Sequence, residues 1–217
     1  MNIDAGAFHW TTFDVVGLLP TQWQQEGIMV ASEADVREFP RTPGLTREGA
    51  DVESILRGRV HAGEVRDRLP WLYRLYRETF RDLAERALHE PVMTARDHRY
   101  GVVLNVQRGP EMRFENHVDS NPVSGVLFFT DHAVGGELVF ARDPTASDVA
   151  SVEQDCIVIE PRAGYLVFFD GRRPHYARPL KEQSEIRVVA AMNFYVESSP
   201  ESTRPPGLNR HLFGDPE

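Results

Sequence analysis

From Tyr100 onward the chain breaks into short apolar and β-branched runs that read as strands. They are Tyr100–Gln107, Met112–Phe114, Ser124–Thr130, Glu137–Phe140, Cys156–Ile159, Tyr165–Asp170, Tyr176–Pro179 and Ile186–Val196. Gly109-Pro110, Gly135-Gly136 and the stretch from Pro161 to Gly164 separate them with turn-forming residues. One long helical pattern lies ahead of them. Leu69, Leu72, Leu75, Tyr76, Phe80, Leu83, Ala87 and Leu88 recur at steps of three and four between Glu64 and His89. Pro70 suits the first turn of a helix better than its interior, so the main helix is expected to start near Leu69 and to end before Pro91. Such a helix lays one apolar stripe on a sheet. Many short strands behind a helical segment predict a mainly β fold with supporting helices, its sheets closed as a jelly roll.

The 217 residues suffice for one sizeable core. We expect a helical support region at 1–97, part of the same domain, then a β core at 98–197 and a tail at 198–217. Within the first part, Val15–Leu19 and Ile28–Val30 read as short strands or buried turns, Arg41–Gly44 as a loop and Glu48–Arg59 as a short helix. The tail is rich in Pro, Ser and Glu, as a mobile extension or a segment wrapped on the core would be. The insertion Ala141–Asp155 carries Asp143, Asp148, Glu153 and Asp155. It reads as an exposed acidic loop or, more sharply, as a lid.

Composition narrows the partners. The formal net charge is −9, and the arginines around 57–113 alternate with acids, so a solvated face is expected and no nucleic-acid partner. Cys156 is the only cysteine, which excludes an intrachain disulfide and any multi-cysteine metal site. No apolar run is long enough to span a bilayer, and Met1–Trp10 lacks the blocks of a secretory signal. The expectation is a cytoplasmic protein with no membrane partner.

The chemistry concentrates in four residues. His117-Val-Asp119 places two ligand types on one side of a strand, because strand side chains alternate. His175 follows the turn Gly171–Pro174, and Arg187 opens an apolar strand. Two histidines and a carboxylate form a face that suits Fe(II) and leaves coordination positions open. An arginine inside such a strand is costly to bury without an anion, which a diacid cosubstrate or a protein carboxylate would supply. Taken alone, His175 also fits a hydrogen-bonded surface histidine. Zinc is the main competitor for the metal, although no HExxH helix is present. No G-x-S-x-G elbow, G-x-G-x-x-G or P-loop occurs.

Taken together, His117-Val-Asp119, Gly125–Thr130, Gly135–Phe140, Pro161–Phe168, Arg173-Pro-His175 and Arg187 resemble the Fe(II)/2-oxoglutarate-dependent oxygenases, particularly their prolyl-4-hydroxylase-like branch. The likeness covers about Tyr100 to Val196. It implies a double-stranded β-helix core of the jelly-roll or cupin-like kind, with Fe(II) as cofactor and 2-oxoglutarate and O2 as cosubstrates. It implies that His117, Asp119 and His175 bind iron and that Arg187 pairs with the distal carboxylate of 2-oxoglutarate. Tyrosines that contact this cosubstrate in relatives are replaced by Gln107, which retains an amide donor, and near Phe129, which can only pack. Related halogenases have Gly or Ala where Asp119 stands, so hydroxylation is favoured over halogenation. A weaker likeness to small bacterial amino-acid hydroxylases and halogenases makes Ser120 and Asn193 candidate substrate contacts. Arg113, Arg172, Arg173 and Arg178 flank the ligands as substrate-anion contacts or solvent-facing charges. The activity implied is hydroxylation of an unactivated C–H bond of an amino acid or specialised metabolite, releasing succinate and CO2. The alternatives are a protein hydroxylase acting on prolyl-type residues and a non-catalytic cupin-like metal-binding module.

Overall fold

Two antiparallel sheets face each other across a shared interior in the computed structural model, which describes residues 10–214. In chain order the strands are β1 (Trp10–Asp14), β2 (Asp35–Pro40), β3 (Ser54–Val60), β4 (Met93–Thr94), β5 (Val102–Arg108) and β6 (Phe114–His117). They continue with β7 (Val123–Phe128), β8 (Leu138–Ala141), β9 (Cys156–Ile159), β10 (Tyr165–Phe169), β11 (His175–Ala177) and β12 (Ile186–Tyr195). The larger sheet runs β1-β10-β7-β12-β5-β3-β2, with β4 also paired to β12, and the smaller runs β6-β11-β8-β9. The helices are α1 (Trp23–Ala31), α2 (Ala62–Arg68), α3 (Pro70–Leu75), α4 (Arg81–Leu88), α5 (Val149–Gln154) and α6 (Leu208–Phe213). A jelly-roll β core with helical support is therefore present. Among the described residues, no helix is long and apolar enough to cross a membrane. Positions 1–9, which bear most of the reading of the N-terminus, and 215–217 of the tail lie outside the described residues.

Strand alternation gives the larger sheet two different faces. On β12, Val188, Ala190, Met192 and Phe194 join Val102, Leu104, Val106 and Phe168 in the main core beneath the helices. The alternate residues Arg187, Val189, Ala191 and Asn193 line the interior between the sheets. On the helical side, Leu72, Tyr76, Phe80 and Leu83 supply the apolar stripe expected from their spacing. Leu72 and Phe80 are fully buried, and burial of each such side chain contributes about 1.5–3 kcal/mol. Pro70 starts α3 and divides the expected helix, since it lacks the N–H that would continue α2. A π-helical turn at Tyr76–Phe80 joins α3 to α4.

Several early elements differ from expectation. Ile28–Val30 lies inside α1, where Val30 and Ala31 are buried. Gly27 of that helix meets the Phe129 ring so closely that a Cβ would collide with it. Val16–Leu18 is a 3-10 turn. The supposed helix at 48–59 contains β3, whose Arg57 and Arg59 alternate with Leu56, Gly58 and Val60. Arginines on an inward strand face imitate the solvated side of a helix, which hid the period of two. The region 10–97 thus supplies four strands of the larger sheet as well as the helices.

The insertion 141–155 is no lid in this structure. Ala146 and Val152 pack with Val139 and Tyr176, and Glu153 binds Tyr176 and Arg178, while none of 142–155 reaches the central cavity. The tail instead wraps over the interior through α6, as described below.

Tyr76 ties the helices to the site-bearing strand. Its hydroxyl donates to the Asn193 carbonyl at 2.7 Å and accepts from the Ala95 N–H at 2.7 Å. Replacing Tyr76 by Phe leaves both buried backbone groups unpaired, so chemical denaturation should show a loss of about 1–3 kcal/mol. Unchanged stability would remove this bond from the account.

Candidate metal centre and cavity

β6 ends on His117 and β11 begins on His175, and the two are directly paired across the smaller sheet. Their ring centroids are 4.3 Å apart. Each ring turns its Nδ1 to a carbonyl two residues earlier: His117 to Glu115 and His175 to Arg173, both at 2.8 Å. These bonds turn each Nε2 toward the interior and the Asp119 carboxylate. The edge of Phe169 packs on the His175 ring, with centroids 4.8 Å apart.

Asp119 comes from the turn after β6 rather than from strand alternation, because the strand stops at His117. Its N–H donates to the Gly171 carbonyl at 2.7 Å, tying it to the turn before β11. Its carboxylate lies 3.3 Å from His117 Nε2 and 3.5 Å from His175 Nε2, and accepts from the Ser124 hydroxyl. All three residues offer ligand atoms within 4.8 Å of one another, and no other such group converges among the described residues. Burial works against charge here. It drives His175 down to about 4, with the neighbouring His117 charge adding to the effect. It also opposes charge on His117 and Asp119, but their mutual pairing wins, holding His117 up at about 9 and Asp119 at about 2. Three donors converging from two strand ends and a turn fit a divalent cation.

Arg187, on β12, is 2% exposed and has no hydrogen bond or ion pair among the described residues. Burial lowers its pKa to about 9, with Glu137 opposing. Glu137 is the carboxylate a structural ion pair would use, yet it is not within pairing distance. One of its oxygens accepts from the Gly135 N–H and the other has no partner. Phe128 lies 5.6 Å from the guanidinium. Gly136 has φ +71°, and a Cβ there would approach Arg187 Cδ to 2.9 Å, so glycine is required.

Gln107 sits opposite Arg187 in the β5–β12 ladder. Its amide nitrogen donates to the carbonyls of Met112 at 3.3 Å and Arg178 at 2.9 Å, and it does not line the cavity. Asn105, two residues earlier on the same face, does line it. The signal for Asn105 was its parity with Gln107. Phe129 faces away, packed at a tilt against Trp23 and Trp71 in the main core. Ser120 and Asn193 both line the cavity. The four flanking arginines do not. Arg113 pairs with Glu48, Arg172 with Asp170 and Arg178 with Glu153, while Arg173 donates to the carbonyls of Ala141 and Arg142.

The far wall was not visible in the sequence. It consists of Arg57, Arg59, Glu115 and α6. Arg57 is buried against Glu115, and His211 Nε2 of α6 lies 3.7 Å from that carboxylate. Pro205, Leu208 and Leu212 roof the cavity. Tyr100 fastens the roof by donating to Asn209 Oδ1 at 2.7 Å, and Thr42 Oγ1 meets His211 Nδ1 at 2.9 Å.

The fold is that of the Fe(II)/2-oxoglutarate oxygenases. AviO1 from Streptomyces viridochromogenes superposes with a TM-score of 0.61 at 19% identity, covering 88% of this chain and 91% of that one. SnoK, a non-heme alpha-ketoglutarate-dependent carbocyclase from nogalamycin biosynthesis, gives 0.61 at 14% identity, covering 96% and 89%. A Trichoplax adhaerens prolyl hydroxylase, solved with a hypoxia-inducible-factor peptide, gives 0.59 at 13% identity, covering 92% and 89%. No family model matches the sequence, and no curated protein is similar to it in sequence.

Burial alone would raise the pKa of Glu115, but the Arg57 charge and His211 hold it well below the usual carboxylate range. A depressed folded-state pKa stabilises the fold above the unfolded value near 4.5 and loses that contribution as pH falls below it. Glu115→Gln leaves Arg57 buried without its counter-charge. Urea denaturation should show a loss of about 3–5 kcal/mol at pH 7 and a weaker dependence on acid than the parent protein. Parallel acid profiles for the two proteins would contradict this.

Proposed function

We propose that the chain is an Fe(II)/2-oxoglutarate-dependent dioxygenase that hydroxylates an unactivated C–H bond of a small molecule, an amino acid or specialised metabolite. The carrying observation is that one cavity holds both a three-donor cation face and a buried arginine with no partner. His117, Asp119 and His175 would hold Fe(II), and Arg187 would pair with the distal carboxylate of 2-oxoglutarate through its guanidinium fork. Bound iron with 2-oxoglutarate and O2 supplies the oxidising chemistry, releasing succinate and CO2.

The protein's own residues orient and enclose. The Nδ1 bonds of both histidines fix ring orientation, and Ser124 holds the Asp119 carboxylate in place. A carboxylate at 119 occupies the position that a halogenase leaves open, which favours hydroxylation. The low polarity around Arg187 strengthens its attraction for an anion, since the charge is little screened by water. Gln107 supports that site indirectly by bracing β5 through Met112 and Arg178. Ser120 and Asn193 are placed to touch substrate. The α6 roof supports a free small molecule over a polypeptide, because an enclosed cavity with a few polar groups suits a metabolite. A prolyl-peptide substrate would need α6 displaced.

The test is mass spectrometry of anaerobic, iron-loaded protein given 2-oxoglutarate, O2 and a panel of free amino acids. Succinate together with a product heavier by one oxygen is the expected result. His117→Ala, Asp119→Ala and His175→Ala should each abolish metal binding and succinate formation; full turnover in any of them refutes the ligand set. Arg187→Met should weaken 2-oxoglutarate binding by about 1.5–3 kcal/mol, measured by calorimetry. An unchanged affinity would take that role from Arg187.

A further inference from the structure

The cavity holds a second unpaired cation. Three arginines line it: Arg57, Arg59 and Arg187. Arg57 is paired with Glu115, and Arg187 is taken by the cosubstrate in the reading above. Arg59 has no hydrogen bond or ion pair among the described residues, and its Nε is buried without a partner. The Phe213 ring lies 6.0 Å away on α6, and the Glu115 charge favours the cation without reaching ion-pair distance.

The carboxylates around Arg59 are already committed. Glu115 is held by Arg57 and faced by His211. Asp35, directly opposite Arg59 in the β2–β3 ladder, pairs with Arg37 at 3.3 Å and meets His61 at 4.0 Å. Burial and the neighbouring Arg57 charge lower the Arg59 pKa to about 10, which leaves it cationic at neutral pH. Arg59 is half-buried, and with no ion-pair partner in reach its guanidinium is available to an anion that enters the cavity.

Its location separates it from Arg187. Arg59 pairs with Asn105, and Asn105 with Val189 of β12, so Arg59 lies two strands away from the strand of Arg187. At the usual strand spacing that is roughly 10 Å across the sheet. Asn105 lies between the two arginine-bearing strands, and apolar wall is supplied by Val103, Leu45, Leu208 and Leu212.

We propose that Arg59 anchors an anionic group, a carboxylate or a phosphate, on the primary substrate, whose apolar remainder lies against Val103 and the α6 roof. This rests on the dioxygenase reading, and names the substrate class as amphiphilic anions.

The test titrates the full chain, loaded with Zn(II) and saturating 2-oxoglutarate, by calorimetry. The probes are 3-phenylpropionate, phenyl phosphate and the neutral 3-phenylpropionamide. At least one anion should bind tenfold or more tightly than the amide, and which one it is separates carboxylate from phosphate. Arg59→Gln should abolish that preference, whereas Arg59→Lys should keep part of it. Neither variant should change 2-oxoglutarate affinity, which is measured first; failure of 2-oxoglutarate to bind the parent protein refutes the cosubstrate reading separately. Arg59→Met should likewise lose the anion preference while binding 2-oxoglutarate as the parent does. A preference that survives Arg59→Gln or Arg59→Met, or no anion binding better than the amide, overturns the proposal.

Discussion

The pairing of His117 with His175 across β6 and β11 governs the rest of the site. It is one rung of a short sheet, yet it brings together side chains separated by most of the β core. Backbone carbonyls at Glu115 and Arg173 set both rings, so ring orientation follows from strand geometry alone. β6 is an edge strand and needs external support. Glu48 provides it, accepting from both Arg113 terminal nitrogens at 2.7 and 2.8 Å and from the Asn116 N–H at 2.6 Å. Asn116 also exchanges hydrogen bonds with the Arg47 backbone. The loop before β3 thus acts as the missing neighbour for the strand that carries His117.

The two faces of the larger sheet divide the work. Residues under the helices are almost wholly apolar and supply the hydrophobic driving force. The inner face carries arginines, asparagines and a serine, which bury poorly and gain nothing from each other. Its cost is tolerated because Arg57 and Glu115 neutralise one another and because the apolar helical side is large. The cations at Arg59 and Arg187 stand outside that compensation. A polar, incompletely paired interior beside a metal-donor face is the signature of a site arranged for ligands rather than for stability.

α6 adds a feature that strand topology does not provide. Tyr100 meets Phe213 edge-on at 5.2 Å, with Leu208 and Leu212 packed nearby. This small satellite core holds the roof against the barrel mouth. The acidic insertion at 141–155, a candidate for the same task, is spent on the outer side of the smaller sheet through Glu153, Tyr176 and Arg178.

The sequence by itself determined the strands after Tyr100, the helical stripe from Leu69 to Leu88 and the candidate trio His117, Asp119 and His175, which the structure brings together. Each rests on local signals: a period of two, a period near 3.6, and residue types with few uses in one pattern. Arg187 in an apolar strand was legible as an exceptional residue for the same reason, since burial of a lone charge is rare. Only the tertiary structure decided which polar residues share the cavity. Asn105 rather than Gln107 reaches it, Arg59 rather than Arg113 or Arg178 stands free, and α6 rather than the insertion covers it. Those outcomes depend on which carboxylates lie within about 4 Å of each guanidinium after the sheets close, and such pairings join residues up to scores of positions apart. β3 shows the same limit: its inward arginines look solvent-facing until β6 and α6 close over them.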